Sequence, residues 1–409
     1  MKTYFRLLFT AMFMAALAAT WSACKYDVTE PLWDKPYPEY PVPVITSIDP
    51  AGEAGPGVNY ITIYGENFNN VPDQGGVIFG TTTVDIISTS ATYVTVRRPN
   101  LVSDSSDVKV IPGQTLLPAK YFPYKIDKVH DTYLASANNE EIAALVVDND
   151  ENLYLLKPDK SITKITQSAD TLSITSMNNV KATPSDAVLG PDGRLYIMIK
   201  NRDIQVLDPQ TGEVSNWSKL PGGILSTYGD FDDNGYFYTA GSRTGLVEIA
   251  PDADHTTTKT GLYEEDVVTA VATYQNYLYL AVELSPADSS GNPHLAIWRH
   301  TLDANGNIGT RELFVDLTAN EDYSTRSVTS LKFSKDGSLY IGTDADNPLL
   351  VVAPAANTAD YFYKEILPSN CKAFTWGSGN YAYMIVNDAD LNSANPWNVV
   401  RVNMGTTHK

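Results

Sequence analysis

Leu331-Lys332-Phe333-Ser334-Lys335-Asp336-Gly337-Ser338-Leu339-Tyr340 decides the fold: an apolar strand, a turn built on Asp and Gly, then a second strand that opens on an apolar-Tyr pair. The same unit runs from Leu145 to Tyr154 around Asp148, from Ala187 to Tyr196 around Pro191-Asp192-Gly193, and from Gly229 to Tyr238 around Asp232-Asp233-Asn234-Gly235. It returns from Ala270 to Tyr279 and from Ala373 to Tyr383. The closing tyrosine recurs about every 42 residues, with one longer interval of about 61 between Tyr279 and Tyr340, which is the period of propeller blades. A third strand follows each hairpin, as in Ile204-Gln205-Val206-Leu207 and Leu246-Val247-Glu248-Ile249, and helical periodicity is absent. Six copies predict a six-bladed propeller over residues 127–409. The last copy ends on Val399-Val400-Arg401-Val402 without an outer strand, so the stretch Tyr124 to Ser136 is expected to supply it and close the ring.

Upstream, Ile45-Thr46-Ser47-Ile48-Asp49-Pro50 leads through Gly52, Gly55 and Gly57 to Ile61-Thr62-Ile63-Tyr64-Gly65-Glu66-Asn67-Phe68 and Val77-Ile78-Phe79-Gly80. These are alternating strands punctuated by glycine turns. They resemble the IPT/TIG domain, an immunoglobulin-like sandwich, and predict one over residues 43–126. The repeats resemble NHL and SMP-30-like propellers in architecture and turn pattern. The expected fold class is therefore all-β: an N-terminal immunoglobulin-like sandwich followed by the propeller.

The chain opens on Met1-Lys2-Thr3-Tyr4-Phe5-Arg6, then an uncharged apolar run from Leu7 to Thr20, then Ser22-Ala23-Cys24. That reads as a signal peptide over 1–23. Small residues before a cysteine resemble the bacterial lipobox, although Trp21 departs from its usual aliphatic residue, and the resemblance implies acylation of Cys24. Residues 24–42, rich in proline (Pro31, Pro36, Pro38, Pro41), read as an extended spacer. Lys25-Tyr26-Asp27 partly resembles the export signal of Bacteroidota lipoproteins, which implies an outer-membrane position facing the cell exterior. The only other cysteine is Cys371, so the mature chain is expected to rely on packed sheet.

Net charge is −19, which argues against a nucleic-acid partner. The five histidines, His130, His255, His294, His300 and His408, lie in no triad-like context, and no Ser sits in a Gly-x-Ser-x-Gly elbow. The chain is read as a binder and not an enzyme, with no cofactor and no metal. A lactonase-like propeller would need carboxylates converging on a cation, for which Asp186, Asp230 and Asp344 are available; Asp at such positions more often caps a turn.

In each repeat the first hairpin is tight, whereas the second-to-third loops vary and emerge at the opposite end together with the loops leading into each blade. Long loops on a rigid scaffold carry function, so that face is the expected site. Trp397, Trp376, Tyr228 and Tyr323 are the candidate stacking platforms, and Arg202, Arg243, Arg326 and Asn395 the candidate hydrogen-bonding groups. Each aromatic could equally pack between blades.

Lipoproteins that join an IPT/TIG domain to a further β-domain resemble the surface accessory proteins of Bacteroidota nutrient uptake. The resemblance implies a glycan ligand, polysaccharide or oligosaccharide, and an outer-membrane TonB-dependent transporter with its lipoproteins as partners. Capture of another small nutrient such as a corrinoid, or a protein-protein scaffold, stays open. A solvent-exposed aromatic row on the loop face would mark the glycan reading.

Overall fold

The computed structural model describes residues 10–12, 14, 41–68, 75–113, 117–135, 140–168, 171–285, 290–387 and 397–409. The expectations for Cys24, most of the spacer and Asn395 lie outside the described residues. The chain divides after Val42, and Pro43–Lys409 form one compact unit. Among the described residues no helix is long and apolar enough to cross a membrane.

Residues 44–126 form two packed sheets. One orders the strands Val44–Asp49, Tyr60–Glu66, Tyr93–Arg97 and Ile86–Thr89; the other orders Glu53–Ala54, Ala119–Ile126, Ser103–Ile111, Gly76–Phe79 and Thr82–Thr83. Period-two alternation sends Ile61, Ile63, Val94, Val96, Val108 and Val110 into a shared core with Phe68, Phe79 and Tyr124. Gly65 is required where it stands, because a Cβ there would lie 2.1 Å from the Val44 carbonyl and 2.2 Å from the Phe68 ring. The pattern Gly-x-Asn-Phe is thus a packing device that lets Phe68 fold back under its own strand.

Beyond it the described residues form six four-stranded antiparallel sheets. Their innermost strands are Ala144–Val147, Pro184–Leu189, Tyr228–Phe231, Val267–Tyr274, Val328–Phe333 and Cys371–Trp376. Neighbouring innermost strands touch in cyclic order, and Cys371–Trp376 meets Ala144–Val147 to complete the circuit. The sheet of Cys371–Trp376 takes its outermost strand, His130–Ala135, from the N-terminal side, paired antiparallel with Trp397–Asn403. Closure therefore comes from the expected segment, except that Tyr124 to Ile126 stay in the sandwich.

The repeated Asp and Tyr explain each other. Asp148 Oδ1 accepts the backbone N–H of Asp150 at 3.0 Å and of Asn152 at 2.9 Å, while its Oδ2 accepts the Tyr154 hydroxyl at 2.9 Å. Asp192 and Tyr196 repeat the bond at 2.9 Å, and Asp232 binds Asn234 and Tyr236 N–H at 2.9 and 2.8 Å. One carboxylate closes the hairpin and satisfies a phenol buried beside it, so these Asp-rich turns are turn chemistry.

The sandwich is fastened to the later sheets. The Asn59 side chain donates to the Tyr361 carbonyl at 2.7 Å and accepts from Tyr363 N–H at 3.1 Å, while Arg97 pairs with Asp360 at 2.7 Å.

Candidate functional site

The C-terminal ends of five of the innermost strands converge on a cavity of about 510 Å³ at the hairpin end of the channel. Phe231 and Trp376 supply rings, Asp230 and Lys332 supply charge, and His408 and Lys409 enter it from the last segment of the chain. That segment crosses the channel mouth as a strap. Lys335 N–H donates to the Thr407 carbonyl at 2.9 Å and Lys409 N–H to the Phe333 carbonyl at 3.2 Å. The Lys409 ammonium then reaches Asp230 Oδ2 at 3.0 Å, Thr273 Oγ1 at 2.9 Å and the Thr273 carbonyl.

Charge in the channel is unevenly settled. Burial raises the Asp230 carboxyl, but the Lys409 and Lys332 ammoniums and the Thr273 N–H bond outweigh it and leave the group below the usual carboxylate range. Asp186, one sheet away, has no such partner: burial pushes it up to about 6, against the opposing pull of Lys332 and the backbone N–H groups of Ala187 and Gly229. Among the described residues Lys332 makes no direct ion pair, and its charge acts on Asp186, Asp230 and His408 together. His408 Nε2 is buried without a partner, and burial with the two lysines beside it pushes the imidazole down to about 3.

The residues expected to form the site do not come together. Trp376 sits at the hairpin end instead of the loop face; it is 5% exposed, packs edge-to-face on Tyr340 at 5.3 Å and donates its indole N–H to the Gly379 carbonyl at 3.2 Å. Tyr323 is likewise 5% exposed, in the four-residue helix Glu321–Ser324 against Tyr361. Tyr228 is half-buried, and burial pushes its hydroxyl up to about 12. Trp397 is half-buried against the cluster that holds Tyr133 and Tyr383.

The arginines are mostly committed. Arg326 donates to the carbonyls of Asp322, Asp346 and Asn347 at 2.6, 2.7 and 3.1 Å and lies over Tyr361, which makes it a loop clamp. Arg202 Nε donates to the Leu220 carbonyl at 2.8 Å. Arg243 is exposed in a left-handed turn at φ 53°. The expected aromatic row is not there: beyond residue 127 the one exposed Phe, Trp or Tyr ring among the described residues is Tyr381, beside the hairpins. The rings were drawn inward because a phenol or indole between neighbouring sheets buries more area than one left on a loop.

Asp344, the third carboxylate considered for a metal, accepts Ser327 N–H at 2.9 Å and so ties the outer ends of the paired strands Val328–Phe333 and Leu339–Thr343 together, where the sequence reading expected a turn cap. Among the described residues no three His, Cys, Asp or Glu side chains gather as metal ligands. His300 is held by the Tyr263 hydroxyl at 2.7 Å and the Gly309 carbonyl at 2.8 Å, and burial pushes the Cys371 thiol up to about 12.

Sequence reasoning missed Lys332, His408 and Lys409. Lys332 had a readable signal, since a lysine between Leu331 and Phe333 in an innermost strand lies on the opposite face of the sheet from both and needs polar surroundings there. Lys409 had none, lying 179 residues from Asp230.

Together these features define an all-β chain with a sandwich ahead of a propeller-like ring. The IPT/TIG domain family matches residues 43–124. Two solved structures from Bacteroides thetaiotaomicron are similar over nearly their full length. One is a protein of unknown function, with 11% identity, TM-score 0.51, and coverage of 90% of this chain and 99% of that one. The other is an auxiliary nutrient binding protein, with 12% identity, TM-score 0.51, and coverage of 88% of this chain and 97% of that one. At such identity the likeness is one of fold. No curated protein matches the sequence.

Proposed function

We propose that this chain is a lipid-anchored surface protein of the outer membrane whose six-bladed propeller captures a nutrient, a short oligosaccharide, in the axial cavity, without catalysing a reaction. The cavity carries the reading. It holds about 510 Å³, within the range of small-ligand sites, and combines two aromatic rings with carboxylate and ammonium groups that match a hydroxylated ring. The lack of an exposed aromatic row among the described residues favours a short ligand over a polymer lying across the surface. The similar nutrient binding protein supports the class of role. In this reading residues 1–23 are a signal peptide, Cys24 bears the lipid, residues 25–42 hold the domains off the bilayer, and a TonB-dependent transporter receives the ligand.

Titration calorimetry of the soluble protein beginning at Lys25 against mono-, oligo- and polysaccharides tests the ligand. Binding of short sugars that Lys332→Met weakens supports the proposal. A full panel without heat, or affinity that Lys332→Met leaves untouched, refutes it. Incorporation of labelled palmitate that Cys24→Ser abolishes tests the anchor separately.

A further inference from the structure

The three acceptors around the Lys409 ammonium form a site in their own right. A primary ammonium has three N–H donors, and the structure offers three acceptors: a carboxylate, a hydroxyl and a carbonyl. The acceptors are fixed before Lys409 is considered. Thr273 N–H holds Asp230 Oδ2 at 2.8 Å, and the Thr273 hydroxyl donates to the Phe231 carbonyl at 2.5 Å, which leaves its lone pair for the ammonium. Thr273 is 1% exposed and the Asp230 side chain 14%, so the charge pairs where water screens it weakly.

The occupant, by contrast, is held lightly. Residues 405–409 lie half-exposed or exposed, the two backbone hydrogen bonds that make up the Ser334–His408 bridge tie them to the hairpin that follows Val328–Phe333, and His408 Nε2 is buried with its hydrogen bond unmade. Gly405, at φ 71°, gives the strap its turn at the channel rim.

We propose that Asp230 and Thr273 form a recognition site for a primary ammonium group, that Lys409 fills it as a tethered placeholder, and that an incoming ligand bearing a primary ammonium replaces it as the strap lifts. The inference uses the same cavity as the nutrient reading but stands on the contacts of Lys409, and holds whether or not the nutrient is a sugar. Amino sugars and diamines share the required chemistry.

The test is chemical rescue in the soluble chain beginning at Lys25. In Lys409→Ala the missing part of the side chain is n-propylammonium, and thermal unfolding is followed as that ion is added. The expected result is a saturable rise in melting temperature, absent with 1-propanol or tetramethylammonium, and lost in Lys409→Ala/Asp230→Asn. The apparent Kd in Lys409→Ala is below that of the wild type by the factor 1 + Ceff/Kd, roughly tenfold where the Kd of the free ion is about a tenth of the millimolar effective concentration Ceff of the tethered lysine. Truncation after Thr407 leaves the site's residues untouched and gives the same gain, which keeps the test decisive if Asp230→Asn fails to fold. D-glucosamine and cadaverine then compete with n-propylammonium, N-acetylglucosamine serving as the uncharged control, and the better competitor identifies the source of the ammonium. The proposal is overturned if neither vacated form binds n-propylammonium more tightly than the wild type, if 1-propanol does as well, or if neither amine competes.

Discussion

Arg98→Met tests whether one buried guanidinium fastens the sandwich turn to the segment that leads into the ring. Arg98 is 4% exposed; its Nη1 donates to the carbonyls of Ala54 and Gly55 at 2.9 and 2.7 Å, its Nη2 to the Asp127 carbonyl at 2.5 Å, and its plane lies 5.8 Å from the centre of the Tyr363 ring. Methionine keeps the apolar stem and removes all three donors. A hydrogen bond to a charged group contributes about 1.5–3 kcal/mol, and three that share one guanidinium do not add fully, so the expected loss is about 3–5 kcal/mol. Its neighbour supplies the control. Arg97 pairs with Asp360, whose side chain is 37% exposed, and lies over Tyr60 and Tyr361, so Arg97→Met is expected to cost about 1–2 kcal/mol. Urea unfolding followed by tryptophan fluorescence and by circular dichroism measures both. Equal losses for the two variants, or a loss below about 1 kcal/mol for Arg98→Met, would refute the reasoning that buried carbonyls left without a donor dominate this junction.

Gly65→Ala drives a Cβ into the Val44 carbonyl and the Phe68 ring and is expected to destabilise by about 3 kcal/mol, read from the urea midpoint. Tyr154→Phe removes the hydroxyl bond to Asp148 Oδ2, which Asn152 still satisfies at 2.8 Å, so calorimetry is expected to find a loss of about 1 kcal/mol. Asp186 titrates in the folded chain at about 6, above its unfolded value of 3.8; its favourable contribution is present below pH 3.8 and lost as pH rises through 6. Asp186→Asn is therefore expected to raise the melting temperature at pH 8 and leave it unchanged at pH 3.5, by at most about 3 kcal/mol and less where channel water screens the charge. His408 runs the other way. Its folded value near 3 lies below the unfolded 6.5, so the seating of the strap is complete above pH 6.5 and weakens as pH falls towards 3, by up to about 2 kcal/mol at pH 5; the protection factors of the amides of residues 405–409, which remove the intrinsic pH dependence of exchange, are expected to fall over that range, and less in His408→Gln.

What the sequence made legible is what local chemistry writes. Asp148, Asp192 and Asp232 each close their own turn within a few residues and bind a tyrosine six or four positions on, so the hairpins could be read copy by copy. The sandwich pattern was readable for the same reason, since Gly65 and Phe68 answer one another across three residues. The outer strand His130–Ala135 was found by elimination, as the sheet lacking a partner had to obtain one. The site was not legible, because its geometry is made between repeats. Trp376 looks like a loop aromatic in isolation and becomes a buried ring only when Tyr340 of the preceding sheet lies 5.3 Å away. Arg326 likewise offers donors until the loop at Asp346 and Asn347 folds over it.

The sandwich is more than a spacer ahead of the ring, because it holds the base of the strap. The buried Tyr363 hydroxyl accepts Gly57 N–H at 2.5 Å and donates to the Asn403 carbonyl at 2.9 Å, linking the glycine turn of the sandwich to the end of the last strand. Just beyond, Gly57 and Gly405 meet so closely that a Cβ on Gly405 would stand 2.4 Å from the Pro56 carbonyl, and one on Gly57 3.0 Å from that of Met404. Both glycines have positive φ, so neither contact tolerates a side chain or an easy change of backbone. The two ends of the strap are thus held by different physics. Its base is fixed by close packing, which yields only if the sandwich moves, whereas its tip rests on an ion pair at Asp230 weighed against an unsatisfied imidazole. Motion that opens the cavity is accordingly confined to the residues after Gly405, and the sandwich sets the direction in which Lys409 leaves and returns.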